Sequence, residues 1–133
     1  MGHFLTALGG FAIWLGLSLA LSAVYLLVYM WITPQHELKL IREGNISAAV
    51  CLSGTLLGYA LPLASAMVHG ANLYDFVSWA VVAMLVQLAV YLLLRLGYRD
   101  LTHDIVEDRV SVAVMVAGLT VTTGILNAAA LST

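Results

Sequence analysis

Few residues in this chain could do chemistry, and they fall in two places. One is a charged stretch in the second half. Asp100, Asp104 and Asp108 stand at i, i+4, i+8, and His103 faces Glu107 at i, i+4. On a helix such residues are neighbours one turn apart, and imidazole with carboxylates at that distance can share a cation. Spacing alone assigns no metal, because the same pattern recurs on solvated helix faces. The expectation is a wet face with no metal and no other cofactor. An earlier stretch carries Glu37, Arg42 and Glu43 in the same way. The second place lies within the apolar runs, where Tyr59, Gln87, Thr122, Thr123 and Asn127 interrupt the hydrocarbon side chains. Polar groups in lipid are costly and turn toward a bundle interior or a water-filled cavity. Gln87 and Asn127 are expected either to hydrogen-bond between helices or to line a path for a small ion or solute. No ionisable residue is expected at the membrane centre. His3, His69 and Asp75 could meet at the opposite end, where solvation is the plainer reading. Cys51 stands alone, so it forms no disulfide framework or cysteine metal site and reads as a small packing residue.

The catalytic signatures are missing. The chain has no P-loop, no G-x-S-x-G, no H-E-x-x-H and no C-x-x-C, and no nucleophile has a base beside it. The expectation is a protein that is not an enzyme. A net charge of −2 gives no footprint for nucleic acid.

The elements that must hold these residues are membrane spans. Hydrophobic residues make up 62% of the chain and charged residues 9%, against about 25% charged in soluble domains. Mean hydropathy is +1.01. Four apolar runs, 4–32, 46–68, 76–94 and 110–131, are each about long enough to cross a bilayer. They do not alternate every second residue, so they read as helices rather than barrel strands. The first run reads as a span, since no Lys or Arg precedes it and it is too long for a signal peptide.

All five basic residues, Lys39, Arg42, Arg95, Arg99 and Arg109, flank or fill the linkers after spans one and three. The positive-inside rule therefore puts both linkers in the cytoplasm and both termini outside. Thr33 reads as an N-cap and Pro34 as the first residue of a short linker helix ending at Gly44. Leu38 with Ile41, and Leu101 with Ile105, would form the apolar faces of two amphipathic turns on the inner membrane surface.

The chain also repeats itself. Residues 44–54 read again at 108–118, with Ser47 on Ser111, Ala49 on Ala113 and Gly54 on Gly118, and Ile41 and Glu43 on Ile105 and Glu107. A fixed period signals one unit used twice. The units are about 5–68 and 69–132 within a single membrane domain, 1–133. Each is a two-span hairpin, so the two insert as parallel repeats. Span two carries small residues at Ser47, Cys51, Gly54, Gly58, Pro62 and Ser65; span four repeats the stripe at Ser111, Gly118, Thr122 and Ala129, with Thr120 and Gly124 as a second pair. Small residues let helices approach closely in lipid. These stripes are expected to pack the two spans together, to form a subunit contact, or to line a pathway. Pro62 is expected to free one carbonyl in span two.

Residues Ile32-Thr33-Pro34-Gln35-His36-Glu37, Leu40 to Asn45, Ser53 to Leu63 and Gly124 to Ala129 resemble the YjfL-type family across essentially the whole chain. The resemblance implies a bacterial inner-membrane protein made of two copies of a two-helix domain of unknown function, in a membrane-stress setting. The fold expected is thus an all-α membrane protein with four spans. The leading functional expectation is a homo-oligomeric channel- or permease-like protein for small ions or solutes. The alternative is a scaffold or stress-linked sensor that recruits a cytoplasmic protein through its linkers.

Overall fold

Lipid obliges each span to satisfy its own backbone groups, and the chain does so with helices. The computed structural model describes residues 1–33 and 37–131; the expected start of the linker helix at Pro34 lies outside them. Six helices follow one another: α1 Gly2–Ile32, α2 Glu37–Arg42, α3 Ile46–His69, α4 Leu73–Gly97, α5 Leu101–Val106 and α6 Val110–Leu131. Among the described residues there is no strand. The four long helices are long and apolar enough to cross a membrane.

The helices outrun the apolar residues where caps allow it. Helix α4 starts three residues before the expected Phe76 because Asn72 Oδ1 accepts the Asp75 N–H at 2.8 Å, while Asp75 Oδ2 accepts the Ala71 N–H at 3.1 Å. That is a reciprocal cap of the capping-box kind. At its other end α4 runs on through Arg95, whose Nη1 donates to the Ile32 carbonyl at 2.8 Å and so caps the end of α1. The Thr33 hydroxyl bonds back to the Tyr29 carbonyl within that same last turn of α1.

The centre of the bundle is α3, which packs on α1, α4 and, most closely, α6. Helices α3 and α6 run in the same direction, since Gly54 meets Ala117, Gly58 meets Thr120 and Gly124, and Ser65 Oγ reaches the Ala128 carbonyl at 2.8 Å. A Cβ on Gly54 would lie 2.5 Å from the Ala117 Cβ, and one on Gly58 would lie 2.8 Å from the Thr120 carbonyl oxygen. Side chains larger than hydrogen have no room at these crossings. A Cβ on Gly124 would run into the Gly58 carbonyl. That carbonyl is the one Pro62 leaves without its helical N–H donor. Helix α3 is unbroken through Pro62, and the Gly124 backbone closes over the spot.

The small-residue stripe of α6 lies one residue off its expected position. Ala113, Ala117, Thr120 and Gly124 face α3, whereas Gly118 meets nothing within 4 Å and Thr122 is exposed with its hydroxyl on the Gly118 carbonyl. One residue along a helix is about 100° of rotation, so Gly118 and Thr122 turn off the seam. They are not the packing residues the sequence suggested.

The two linkers share one backbone turn. Glu43 N bonds Lys39 O, Gly44 N bonds Ile41 O and Asn45 N bonds Leu40 O; Glu107 N bonds His103 O, Asp108 N bonds Ile105 O and Arg109 N bonds Asp104 O. Both turns close with a positive φ, 86° at Gly44 and 59° at Asp108. These αL closures satisfy the last carbonyls of α2 and α5. Asp108 replaces the glycine and uses its side chain elsewhere.

Candidate functional site

The linker helices differ from amphipathic turns resting on a membrane. Leu101 and Ile105 are buried as expected of an apolar face, but Leu38 is exposed and Glu37 is 2% exposed. Glu37 and Asp104, both expected on wet faces, turn inward instead. The Tyr29 hydroxyl donates to Glu37 Oε1 at 2.8 Å.

Around this carboxylate the three helices α1, α3 and α4 place hydroxyls and rings. Tyr29 meets Tyr91 edge-on at 5.0 Å and lies near-parallel to Tyr25 at 6.5 Å; Tyr25 stacks on Tyr59 at 4.5 Å. The Thr55 hydroxyl lies beside that of Tyr29, and Cys51 lies within electrostatic reach of Glu37. Tyr25 Oη is buried without a hydrogen bond among the described residues. Such a group is uncommon in native interiors and calls for an explanation.

Polar groups continue along α3 toward the other end. Tyr59 donates to the Ala80 carbonyl at 3.0 Å. Gln87, 0% exposed, donates through Nε2 to the Thr120 carbonyl at 3.3 Å and leaves its Oε1 without a bonded partner among the described residues. Asn127 donates to the Ala83 carbonyl at 3.4 Å. Gly58 lies against both the Gln87 amide and Thr120, so these groups meet at one level. The bundle interior therefore holds a series of separate polar groups along α3, with Glu37, Tyr29 and Thr55 at the linker end, then Tyr59, then Gln87 with Thr120.

The second linker resolves into separate pairs. The Tyr98 hydroxyl donates to Asp104 Oδ2, and that bond, ahead of its partial desolvation, raises the phenol above its ordinary value. Arg109 Nε stands 3.4 Å from Asp104 Oδ1. His103 pairs with Glu107 at 3.2 Å on the exposed side. Asp108 Oδ1 accepts the Ser47 N–H at 2.8 Å, so it caps α3 from the other half of the chain. Asn45 completes the crossing: its Oδ1 caps α3 at the Ala48 N–H, and its Nδ2 donates to the Ile105 and Val106 carbonyls at 2.9 and 3.2 Å. The Asp100, Asp104, Asp108 row thus splits, and among the described residues no three His, Cys, Asp or Glu side chains gather as a metal ion would need. Arg42 and Glu43 are exposed. At the far end His69 bonds the Ser65 carbonyl and Asp75 serves as a cap.

Sequence reasoning overlooked Glu37 as an interior group. A signal was present. At the 64-residue offset Glu37 falls on Leu101, and both side chains are buried, 2% and 1% exposed.

A model of the family described as Domain of Unknown Function (DUF350) matches residues 3–131. The UPF0719 inner membrane protein YjfL of Escherichia coli strain K12 is 32% identical over 130 residues, covering 98% of each chain. The protein of that name from Escherichia coli O157:H7 matches to the same extent. No solved structure matches the chain.

Proposed function

We infer the function of this chain from the premise that it belongs to the DUF350 family, the YjfL-type kinship suggested by its residues. We read it as a multi-pass inner-membrane protein that passes small ions, channel- or permease-like, and without catalysis. The observation that carries this reading is the buried Glu37 carboxylate at the linker end of these interior polar groups. An ionisable side chain buried at the end of a membrane bundle is costly, and acids in such bundles commonly mark ion pathways. The small-residue seam of Gly54, Gly58 and Gly124 then serves packing, and the pathway role moves to Glu37, Tyr29, Thr55, Gln87 and Thr120.

Two architectural proposals accompany it. The two halves are a duplicated hairpin, supported by the matching turns at 39–45 and 103–109. The linker end faces the cytoplasm, supported by its monopoly of Lys and Arg. Assembly into a symmetric homo-oligomer is part of the same reading, and native mass spectrometry from nanodiscs counts its subunits. The scaffold alternative, with linkers that capture a cytoplasmic partner, asks for available acidic groups. Asp104 and Asp108 are already engaged within the chain, which favours the ion reading.

The test is flux through purified protein in liposomes, with protons, alkali cations, halides and small neutral solutes offered in turn. Passage of an ion above the rate of empty liposomes is expected. No passage of any of them would end this reading.

A further inference from the structure

We propose that the ion is the proton and that Glu37 is the group that takes it up, a step that rests on the conduction reading above. The argument begins with space. Glu37 is 2% exposed, Tyr29 and Tyr25 are 0%, and Thr55 is 1%. So little of these side chains is exposed that a hydrated cation has no berth beside them. A proton needs no berth. It needs an acceptor, a donor to hold that acceptor in place, and further hydroxyls to move along.

The page supplies each. Glu37 accepts from Tyr29 at 2.8 Å, close enough for proton exchange between the two oxygens. Thr55 Oγ1 lies beside the Tyr29 hydroxyl. Hydroxyls both donate and accept, so Tyr29 and Thr55 can pass a proton to and from the carboxylate. Among the described residues, the titratable side chains that face Glu37 include Tyr29 from α1 and Cys51 from α3, with Tyr91 from α4 against Tyr29. On its own helix lie Lys39 and Arg42, both exposed. Arg95 of α4 is tied to the Ile32 carbonyl at the end of α1.

Burial disfavours a charged carboxylate and favours its protonated form. A proton arriving at the Glu37 carboxylate forms an O–H bond there, and release breaks that bond and restores the carboxylate. The exchange is neutral in electrons, so no oxidant or reductant takes part.

The experiment combines flux with a spectroscopic signature. Purified protein in liposomes is given a pH gradient with an internal pH dye, and in parallel a potassium or sodium gradient. Infrared spectra of the same protein in nanodiscs read the protonated carboxyl stretch. Wild type is expected to pass protons and to show the carboxyl band at neutral pH. Glu37→Gln should bring proton flux down to that of empty liposomes and remove the band. Tyr29→Phe keeps the carboxyl and loses its donor, so flux should fall about fivefold, the cost of one neutral hydrogen bond, and the band should shift. Glu43→Gln, on an exposed side chain, should change neither. Passage of metal cations without protons would overturn this inference and leave the conduction reading standing. No flux of any ion would overturn both. A wild-type spectrum without the band at neutral pH, or an unshifted band in Tyr29→Phe, would overturn the role of Glu37 whatever the flux.

Discussion

At the scale of single residues, the unusual feature is how much the linker acids do inside the chain. Asp108 shows it best. It stands in the left-handed region at φ 59° and points its carboxylate at the first turn of α3. The hydrogen bond from the Ser47 N–H holds its carboxyl below the ordinary value of 3.8. The sign of the pH effect follows from that depression. The cap's contribution is present in full above the ordinary value and is lost as pH falls through the lower folded-state value. Asp108→Asn keeps an acceptor and a residue that tolerates positive φ, and removes the charge. Thermal unfolding in detergent, followed by circular dichroism from neutral pH down through the carboxylate range, should show wild type losing more stability than this variant. Equal slopes would show that the charge does nothing for the cap. None of this was legible in the sequence beyond the offset that laid Asp108 on Gly44. A row of acids at i, i+4, i+8 says where side chains start on a helix. It does not say that Asp104 is claimed by Tyr98 and Asp108 by another helix.

At the scale of elements, the four spans were readable because lipid enforces one solution for the backbone, and length and hydropathy report it. Linker boundaries and helix rotation were harder. The boundaries depend on caps such as Asn72 and Asp75, and the rotation of α6 depends on which of two small-residue rows finds a partner. The pattern offered Gly118 and Thr122 on one row and Thr120 and Gly124 on another; the second won because Gly124 alone allows the backbone approach to the Gly58 carbonyl. Substitutions separate the rows. Gly124→Ala puts a methyl group into backbone that cannot yield and should cost about 1–3 kcal/mol, the range for overpacked contacts. Gly54→Ala, against Ala117, should fall in the same range. Gly118→Ala meets nothing within 4 Å and should stay within about 0.5 kcal/mol of wild type. Denaturant titration in bicelles gives the ranking. A Gly118→Ala loss as large as that of Gly124→Ala would place the seam on the wrong face of α6.

At the scale of the whole molecule, the fold gathers every strong base at one end. Lys39 and Arg42 lie on α2, Arg95 in the last turn of α4, and Arg99 and Arg109 on either side of α5. The other end carries the turn from Gly70 to Asn72 with no Lys or Arg. On the orientation proposed above, this bias of Lys and Arg holds the linker end in the cytoplasm. Glu37 would then lie at the cytoplasmic end of the bundle, and a proton it takes up would come from that side. This polarity can be read chemically because the protein supplies its own silent background: its lone cysteine, Cys51, is 2% exposed in the core. Two positions report the two ends, Glu43→Cys at the linker turn and Ala71→Cys at the opposite loop, both on exposed residues. In right-side-out vesicles a membrane-impermeant maleimide should label Ala71→Cys at once and Glu43→Cys only after the bilayer is opened. Wild type should stay unlabelled in both conditions. The reverse pattern would turn the molecule over in the membrane and place Glu37 on the outer side.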